Sequence, residues 1–140
     1  MKELLRVNHL KKYFKTPKGM LHAVDDVSFT LNEGETLGVV GESGCGKSTL
    51  GRVVIKLLDG AEGEVFFEGR DILKEKNTFE LRRNLQMIFQ DPFSSLNPRM
   101  TVGETISEPM LINHLCSKNE AVERVFSLMD TVGLAERFIN

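Results

Sequence analysis

The chain has 140 residues, of which 41% are hydrophobic and 27% charged, with a formal net charge of −2. This length predicts about one domain of soluble globular protein, and the near-neutral charge argues against a nucleic-acid-binding surface. No apolar run approaches the roughly 18 residues that span a bilayer, and no signal peptide opens the sequence. Cys45 and Cys116 lie far apart without a partner pattern, which predicts a reducing, cytoplasmic compartment and no metal site.

Two β-strands are predicted near the start of the chain. Val7 to Phe14 and Leu21 to Leu31 are rich in apolar residues, and Thr16-Pro17-Lys18-Gly19 between them is a turn sequence. Asp25 and Asp26 are expected to close a turn before a strand. Two strands at this place predict a β-rich layer that packs beside the next part of the chain.

A phosphate-binding loop comes next in the chain. Residues 41–48 match the pattern G-x-x-x-x-G-K-[ST]. The apolar run Thr36 to Val40 before the loop predicts a buried strand, and Ser48 to Leu58 after it has apolar residues at helical spacing. Strand, loop and helix in this order are the context in which the pattern binds nucleotide phosphates.

The chemistry of this loop comes mainly from its backbone. Successive N–H groups of a glycine-rich turn, with the positive end of a helix dipole behind them, form an anion site. We expect the Lys47 ammonium to reach the β- and γ-phosphates and the Ser48 hydroxyl to ligate Mg²⁺. The residues expected to bind the nucleotide here are Gly41, Glu42, Ser43, Gly44, Cys45, Gly46, Lys47, Ser48 and Thr49.

The middle of the chain predicts three short elements. Residues 62–69 form a strand that ends in a turn, and Thr78 to Asn84 form a helix capped by Asn77 or Thr78. Leu85 to Phe89 is expected to be a buried strand, closed by Gln90-Asp91-Pro92. A polar residue directly after a buried strand lies at the edge of an α/β sheet where ligands bind.

The last third of the chain predicts two helices. Thr101 and Glu104 have capping-box spacing, and the helix that they begin is expected to end near Pro109. Ser117 and Glu120 repeat the spacing ahead of a longer helix, for which Gly133 is the expected stop. Its predicted apolar stripe consists of Ala121, Val122, Val125, Phe126, Leu128, Met129 and Val132.

Two longer phrases resemble one protein family. Residues 38–49 followed by residues 87–92 look like the ATP-binding subunit of an ATP-binding cassette (ABC) transporter, and residues 86–104 resemble the oligopeptide and dipeptide importer branch. The resemblance implies an α/β fold, a P-loop NTPase of the ABC ATPase type. Its parts would be an N-terminal β-rich layer and a partial RecA-like core over residues 1–92, then the start of a helical subdomain over residues 93–140.

The resemblance also implies roles for single residues. Tyr13 lies where the family places an aromatic ring that stacks on adenine, and Phe14 beside it is expected to be a core residue. Gln90 lies where the family has a glutamine that ligates Mg²⁺ and orients water, so Lys47 and Gln90 are the expected catalytic residues and Ser48 and Gln90 the metal ligands. The implied cofactors are ATP and Mg²⁺. For Tyr13 and Gln90 alone, an ordinary strand residue and an ordinary turn residue are the alternatives.

The implied partners are membrane-spanning permease subunits and a second ABC ATPase subunit. The chain would have no transmembrane segment of its own and would lie in the cytoplasm, peripheral to the inner face of the cell membrane. Importing subunits of this kind contact their permease through the region of residues 93–110. The candidate contact residues are Phe93, Leu96, Met100, Met110 and Leu111.

Three further family motifs are absent from the sequence: L-S-G-G-Q, a strand ending in Asp-Glu, and a later histidine. We therefore expect an N-terminal portion of a longer subunit that couples ATP hydrolysis to uptake of peptides or a similar solute, with little turnover by itself. The alternatives are a non-catalytic fragment that docks on a transporter and a P-loop kinase or GTPase. The last would require an acceptor lid or an N-K-x-D sequence, and neither is present.

Overall fold

In a computed structural model of the protein, residues 2–91 and 95–140 are described. The chain divides into two compact units, of which one extends to Gln86 and the other begins at Met87. The domain division after residue 92 stays a prediction, and residues 92–94 lie outside the described residues.

The first unit is built on a long antiparallel hairpin. Strands β1 (Glu3–Thr16) and β2 (Gly19–Asn32) pair from Thr16 opposite Gly19 at the turn to Glu3 opposite Asn32. The Thr16 hydroxyl donates a hydrogen bond to the Gly19 carbonyl at 2.7 Å, which closes the turn. Both predicted strands and the turn are confirmed, and the strands are longer than predicted because pairing continues along the hairpin to both of its ends.

Bulges interrupt the hairpin register. His9 and Asp26 have φ angles of 48° and 53°, and the His9 ring nitrogen Nδ1 lies 2.7 Å from the Asp26 carboxylate. The prediction that Asp25 and Asp26 close a turn before a strand is wrong, since both lie inside β2. A bulge inserts an extra residue without ending the strand, and aspartate tolerates positive φ better than most residues.

Two shorter strands complete a sheet of order β2-β1-β3-β4. Strand β3 (Glu62–Phe67) pairs antiparallel with β1, and β4 (Arg70–Asp71) pairs with β3. The predicted strand and turn at residues 62–69 are therefore confirmed. Gly63 has a φ of 99°, and a Cβ there would lie 2.5 Å from the His9 carbonyl oxygen, so the sheet requires glycine at this crossing.

Two helices accompany the sheet. Helix α1 (Lys47–Val54) is shorter than predicted, because Lys56 has a φ of 54° and the Arg82 guanidinium donates to the carbonyls of Ile55 and Lys56 at 3.1 and 2.7 Å. Helix α2 (Phe79–Asn84) begins after Thr78, one of the two predicted cap residues. The buried core of this unit consists of Leu5, Val7, Leu10, Val24, Val53, Val54, Val65, Phe67, Ile72 and Leu81.

Two predicted strands are not formed in the structure. Residues 36–40 and 85–89 are not assigned to a sheet among the described residues, and several of their apolar side chains are exposed. Val40 is 93% exposed and Ile88 is 99% exposed. An apolar run becomes a strand only where a neighbour accepts its backbone hydrogen bonds, and none of the described strands pairs with either segment.

The second unit contains the two predicted helices. Both capping boxes are present: helix α3 (Val102–Ile112) begins after Thr101, and helix α4 (Lys118–Thr131) begins after Ser117. The prediction that α3 ends near Pro109 is wrong. The helix continues because proline removes a single backbone donor, while the Pro109 carbonyl still accepts bonds from the Asn113 backbone and side chain at 3.2 and 2.7 Å.

Helix α4 packs with a narrower face than its sequence predicted. Ala121, Val125 and Met129 are buried, whereas Val122, Leu128 and Val132 are exposed. Gly133 follows the helix with a φ of 70°, which confirms the predicted stop.

The second unit ends with a short 3₁₀ helix (Glu136–Phe138). The residue that follows it contacts the start of α3, where the Gly103 N–H donates to the Ile139 carbonyl at 2.8 Å. In the part of the chain that the structure describes, no helix is long and apolar enough to cross a membrane.

Candidate functional site

The glycine-rich loop leads directly into helix α1. Gly46 is the N-cap of this helix, with φ 99° and ψ 1°, and Gly44 has a φ of 81°. A Cβ at Gly46 would overlap the carbonyl oxygen of Ala23 in strand β2. Position 46 therefore requires glycine for two reasons: its backbone angle, and the close approach of the loop to the hairpin.

The Lys47 side chain folds back over the loop. Its ammonium donates hydrogen bonds to the carbonyls of Gly41 and Glu42 at 2.8 and 2.6 Å and lies 3.6 Å from the Cys45 sulfur. The Lys47 ammonium thus holds two carbonyl groups of the loop close together. The same ammonium can exchange these carbonyls for phosphate oxygens, because charge-assisted bonds to phosphate are stronger than bonds to neutral carbonyls.

The first turn of α1 is suited to an anion. Among the described residues, no side chain caps this N-terminus, and the first turn carries no acidic residue. N–H groups without an intrahelical partner and the positive end of the helix dipole therefore meet here without a competing carboxylate. Ser48 and Thr49 lie in this turn. Glu42 and Ser43 are exposed on the loop and, like Gly41, are not among the residues that line the cavity beside it.

A cavity of about 270 Å³ lies between this loop and the hairpin. The loop contributes residues 44–49, and the hairpin contributes an aromatic ring, a leucine, an imidazole and an alanine. This volume is near the lower end for small-molecule pockets. The cavity is lined by Phe14, Leu21, His22, Ala23, Gly44, Cys45, Gly46, Lys47, Ser48 and Thr49.

Tyr13 contacts this cavity only through a neighbour. Its ring stacks on the His22 ring, with 3.9 Å between the ring centroids and 18° between the planes. The Tyr13 hydroxyl donates a hydrogen bond to the Asp25 carboxylate, and the His22 nitrogen Nδ1 lies 3.7 Å from the other oxygen of that carboxylate. The three side chains form one connected group on the hairpin.

The Tyr13–Asp25 hydrogen bond shifts the pKa values of both side chains. It raises the pKa of the Tyr13 phenol to about 12, since the bond holds the phenolic proton and the carboxylate charge disfavours a second negative charge. The same bond lowers the pKa of Asp25 below its ordinary value, because it favours the charged carboxylate. At neutral pH the phenol is therefore a fixed donor and the carboxylate a fixed acceptor.

Phe14 is not part of the buried core, contrary to the prediction. It is half-buried and lines the cavity, while the Lys12 ammonium lies 5.0 Å from its ring centroid. Lys12 also donates to the carbonyls of Asp59 and Gly60 at 2.5 and 3.2 Å.

Sequence reasoning missed His22. The turn sequence contained the signal that could have placed it: with Thr16 opposite Gly19, equal steps along both strands bring Tyr13 opposite His22. The pairing of two rings on one face of a hairpin is a cross-strand contact that the turn alone specifies.

Gln90 belongs to the second unit and is exposed. The structure brings residues 44–49 together with Phe14 and His22 in the first unit, and Tyr13 adjoins them through His22. The expected pairing of Gln90 with Ser48 at a metal stays a prediction. Across residues 2–91 and 95–140, no group of three His, Cys, Asp or Glu side chains is placed to hold a metal ion.

Comparison with known proteins agrees with this geometry. The family model described as ABC transporter matches residues 24–140. The chain is 50% identical over 142 residues to the oligopeptide transport ATP-binding protein OppF of Bacillus subtilis, covering 99% of this chain and 47% of that protein. It is 50% identical over 150 residues to the protein of the same description from Haemophilus influenzae, covering 98% and 45%.

A solved structure is similar over almost the whole chain. It is the dimeric structure of a post-hydrolysis state of an ATP-binding cassette bound to ADP and Pi, with a TM-score of 0.83 and 25% identity. The likeness covers 98% of this chain and 60% of that one. The chain spans about half the length of the curated relatives that it matches.

Proposed function

The chain belongs to the ABC transporter family, and from this premise we propose that its glycine-rich loop binds the triphosphate of ATP. The expected fold class, an α/β P-loop NTPase of the ABC ATPase type, is confirmed by the family match and the structural likeness. The resemblance to the oligopeptide importer branch is likewise confirmed, as similarity to the two relatives described above.

One observation carries the proposal of ATP binding. Gly44, Gly46 and Lys47 line one cavity at the uncapped N-terminus of α1. The helix N–H groups and the lysine charge attract an anion and the glycines let it approach the backbone closely, which matches the chemistry of a polyphosphate rather than that of a single carboxylate. The aromatic and aliphatic residues on the opposite wall, Phe14, Leu21 and His22, suit the base of a nucleotide.

The residues present fit a magnesium ion delivered with the nucleotide. Ser48 lies in the first turn of α1 and lines the cavity, and Mg²⁺ in nucleotide sites takes few protein ligands besides the phosphates. When bound, the ion would neutralise charge on the β- and γ-phosphates. We propose Gln90 as a second ligand and as the residue that orients water, with Lys47 holding the γ-phosphate.

For the whole protein we propose ATP hydrolysis coupled to import of a peptide or a similar solute. The support is the description of the relatives as oligopeptide transport ATP-binding proteins. The proposed partners are membrane-spanning permease subunits and a second ABC ATPase subunit. The dimeric state of the similar solved cassette supports the latter. A subunit with these partners would lie in the cytoplasm at the inner face of the membrane.

We propose that the second unit contacts the permease. Met100 and Leu111 line a cavity of about 370 Å³ along α3 together with Ile112, which is 57% exposed. Leu96 is exposed at a separate cavity that residues 87–89 also line. Exposed apolar groups in two concave surfaces of one unit are typical of protein docking sites. The predicted contact residue Phe93 lies outside the described residues, and Met110 is half-buried.

The first experiment titrates the chain with a fluorescent ATP analogue and Mg²⁺. We expect saturable binding that Lys47→Ala weakens at least about 10-fold, since the variant removes the one cation that gathers the loop. Lys18→Ala, in the exposed hairpin turn, is the matched control and should bind as the wild type does. Equal affinity of the wild type and Lys47→Ala would contradict the proposed site.

Cysteine alkylation supplies an independent readout of the same site. Cys45 is exposed in the loop and Cys116 is half-buried in the second unit. Bound Mg-ATP should slow alkylation of Cys45 and leave that of Cys116 unchanged, because only the former lies in the cavity wall. Unchanged Cys45 rates at a nucleotide concentration that saturates the fluorescence titration would place the nucleotide elsewhere.

A further inference from the structure

We propose that the hairpin tip, residues 15–20, binds the anionic surface of a lipid bilayer through Lys15 and Lys18 and inserts the Met20 side chain between the headgroups. The inference rests in part on the proposed place of the protein at the inner face of the membrane. It adds a contact with lipid to the proposed contact with the permease, and it places that contact on the other unit of the chain.

Positive charge is concentrated in the part of the sequence that contains the hairpin tip. The whole chain has a formal net charge of −2, whereas residues 4–24 contain five cations and neither aspartate nor glutamate. A local excess of one sign within a weakly acidic chain indicates a surface that meets the opposite charge. The five cations are Arg6, Lys11, Lys12, Lys15 and Lys18.

The two lysines of the hairpin tip are available to an outside anion. Both Lys15 and Lys18 are exposed, and across residues 2–91 and 95–140 neither ammonium group has an ion pair or a hydrogen bond. Lys12, by contrast, donates to the carbonyls of Asp59 and Gly60. The charge of the tip is therefore not neutralised within the described part of the chain.

The turn holds these lysines on an ordered backbone. The Thr16 hydroxyl donates to the Gly19 carbonyl at 2.7 Å and accepts a hydrogen bond from the Lys18 N–H at 3.3 Å. Pro17 fixes its own φ angle, and Gly19 supplies the φ of 120° that the turn requires. A backbone that is ordered before binding loses less conformational entropy when the tip meets a surface.

The tip presents an apolar side chain beside its charge. Met20 is 53% exposed and pairs directly opposite Lys15. The adjacent pair, Phe14 opposite Leu21, lines the cavity beside the glycine-rich loop. Because successive residues of a strand point to opposite faces, Lys15 and Met20 lie on the face away from that pair. A lipid contact at the tip therefore leaves the cavity open to a nucleotide.

A bilayer surface fits this combination better than a nucleic acid does. Lysine stems and apolar side chains enter the headgroup region while the ammonium groups stay at its surface. A nucleic acid would use the lysines alone and leave Met20 without a role. Each lysine near an anionic membrane strengthens binding about 5-fold, so two give about 30-fold. That is too weak for an anchor, and the contact therefore orients a subunit that the permease holds.

The test measures cosedimentation of the chain with two kinds of vesicle at low salt. One kind is phosphatidylcholine alone, and the other contains phosphatidylglycerol as well. We expect binding to the anionic vesicles, which the double variant Lys15→Ala/Lys18→Ala lowers about 10- to 30-fold. Lys76→Ala/Lys118→Ala, which removes the same charge from two other exposed positions, should bind as the wild type does.

The other results decide against the proposal. Equal losses in the two double variants would mean that binding follows net charge alone. Equal binding of the wild type to both kinds of vesicle would exclude a role for the lysines. If the wild type bound double-stranded RNA and not the anionic vesicles, the tip would be assigned to nucleic acid.

A parallel titration with Mg-ATP separates this proposal from the proposed function. Lys15→Ala/Lys18→Ala should bind Mg-ATP as the wild type does, since neither lysine lines the cavity. A wild type that bound Mg-ATP and not the anionic vesicles would overturn the lipid contact alone. A wild type that bound the vesicles and not Mg-ATP would contradict the proposed nucleotide site and leave the lipid contact standing.

A tryptophan reporter tests whether Met20 enters the headgroup region. The chain has no tryptophan, so Met20→Trp introduces a single indole at the tip. Val122→Trp is the matched control, because Val122 is 52% exposed in the second unit. Anionic vesicles should shift the emission of Met20→Trp to shorter wavelength and leave that of Val122→Trp unchanged. Equal shifts, or no shift in Met20→Trp, would mean that the tip does not insert.

Discussion

The hairpin and the two apolar segments at residues 36–40 and 85–89 differ in whether a neighbouring strand accepts and donates their backbone hydrogen bonds. In β1 and β2, strand pairing runs from Thr16–Gly19 to Glu3–Asn32, and side chains such as Leu10 and Val24 are fully or almost fully buried. In the apolar segments, Val40 and Ile88 are almost fully exposed, and no strand of the described residues pairs with either segment.

This difference separates local from non-local information in the sequence. An antiparallel hairpin is closed by a turn of two residues, so each strand carries its partner with it. A strand in a parallel sheet needs a partner that the chain supplies only after a long connection. The candidate site combines both kinds of structure, since one side of its cavity lies on the hairpin and its glycine-rich loop follows residues 36–40.

The largest expected difference is in the free energy of unfolding, when one apolar side chain is truncated in the hairpin and one in residues 36–40. Leu10→Ala should reduce the free energy of unfolding by about 2 to 5 kcal/mol, because it leaves a cavity among tightly packed residues. Val40→Ala should change it by less than about 0.5 kcal/mol, since the side chain already contacts solvent. Urea denaturation followed by circular dichroism measures both.

A large loss of unfolding free energy in Val40→Ala would contradict the contrast between the packed hairpin and the exposed segment. It would mean that residues 36–40 are packed in solution, against a second copy of the chain or against other residues of the first unit. Repeating the Val40→Ala measurement over a range of protein concentrations separates these cases, because only self-association depends on concentration.

The next largest effect on stability is expected where Gly46 of the loop contacts Ala23 of the hairpin. Gly46→Ala should cost about 1 to 3 kcal/mol from its backbone angle alone and more from overlap with the Ala23 carbonyl. Gly44→Ala is the matched control, since Gly44 also has positive φ but a Cβ at that position would meet no atom within 4 Å. Gly46→Ala should therefore be the less stable variant and should lose nucleotide binding. Equal stability of the two variants would argue that the loop does not rest on Ala23.

Sequence alone predicted the elements whose signals are local. The turn at Thr16–Gly19, the two capping boxes and the loop at residues 41–48 all depend on neighbouring residues, and all appear where predicted. The strands expected at 36–40 and 85–89 did not form because burial depends on distant partners. The predicted continuation of α1 to Leu58 is wrong for a related reason: Arg82, far along the chain, donates to the carbonyls at its end.

The candidate site was predicted in the same uneven way. The residues proposed to bind phosphate were predicted from a contiguous motif whose geometry glycine and lysine largely determine. The hairpin residues of the cavity were not predicted, because the side of the hairpin that faces the loop depends on the contact of Gly46 with Ala23, which lie far apart in the sequence. Phe14 therefore lines the cavity instead of the core, and Tyr13 stacks on His22.

The smallest expected effect lies within the hairpin, at the Tyr13–Asp25 hydrogen bond. The bond raises the pKa of Tyr13 to about 12 from 10.0, so its contribution to stability is full below pH 10 and is lost as the pH rises toward 12. It lowers the pKa of Asp25, so at the acidic end the contribution is full above the ordinary value of 3.8 and is lost as the pH falls through the lowered pKa. The titratable groups near the pair are Asp26, Glu62, His22 and Lys11.

An alkaline absorbance titration of the single tyrosine measures this bond directly. The wild type should titrate near 12, and Asp25→Ala should return the pKa of Tyr13 toward 10, because the phenol loses both its acceptor and the nearest negative charge. Asp26→Ala, which removes a neighbouring carboxylate without removing the acceptor, should lower it only slightly. Circular dichroism at each pH must confirm a folded chain, since unfolding also returns tyrosine to its ordinary value. Identical titrations of Asp25→Ala and the folded wild type would mean that the hairpin does not hold the Tyr13 ring by this bond, and the fixed stack on His22 would then lack its main restraint.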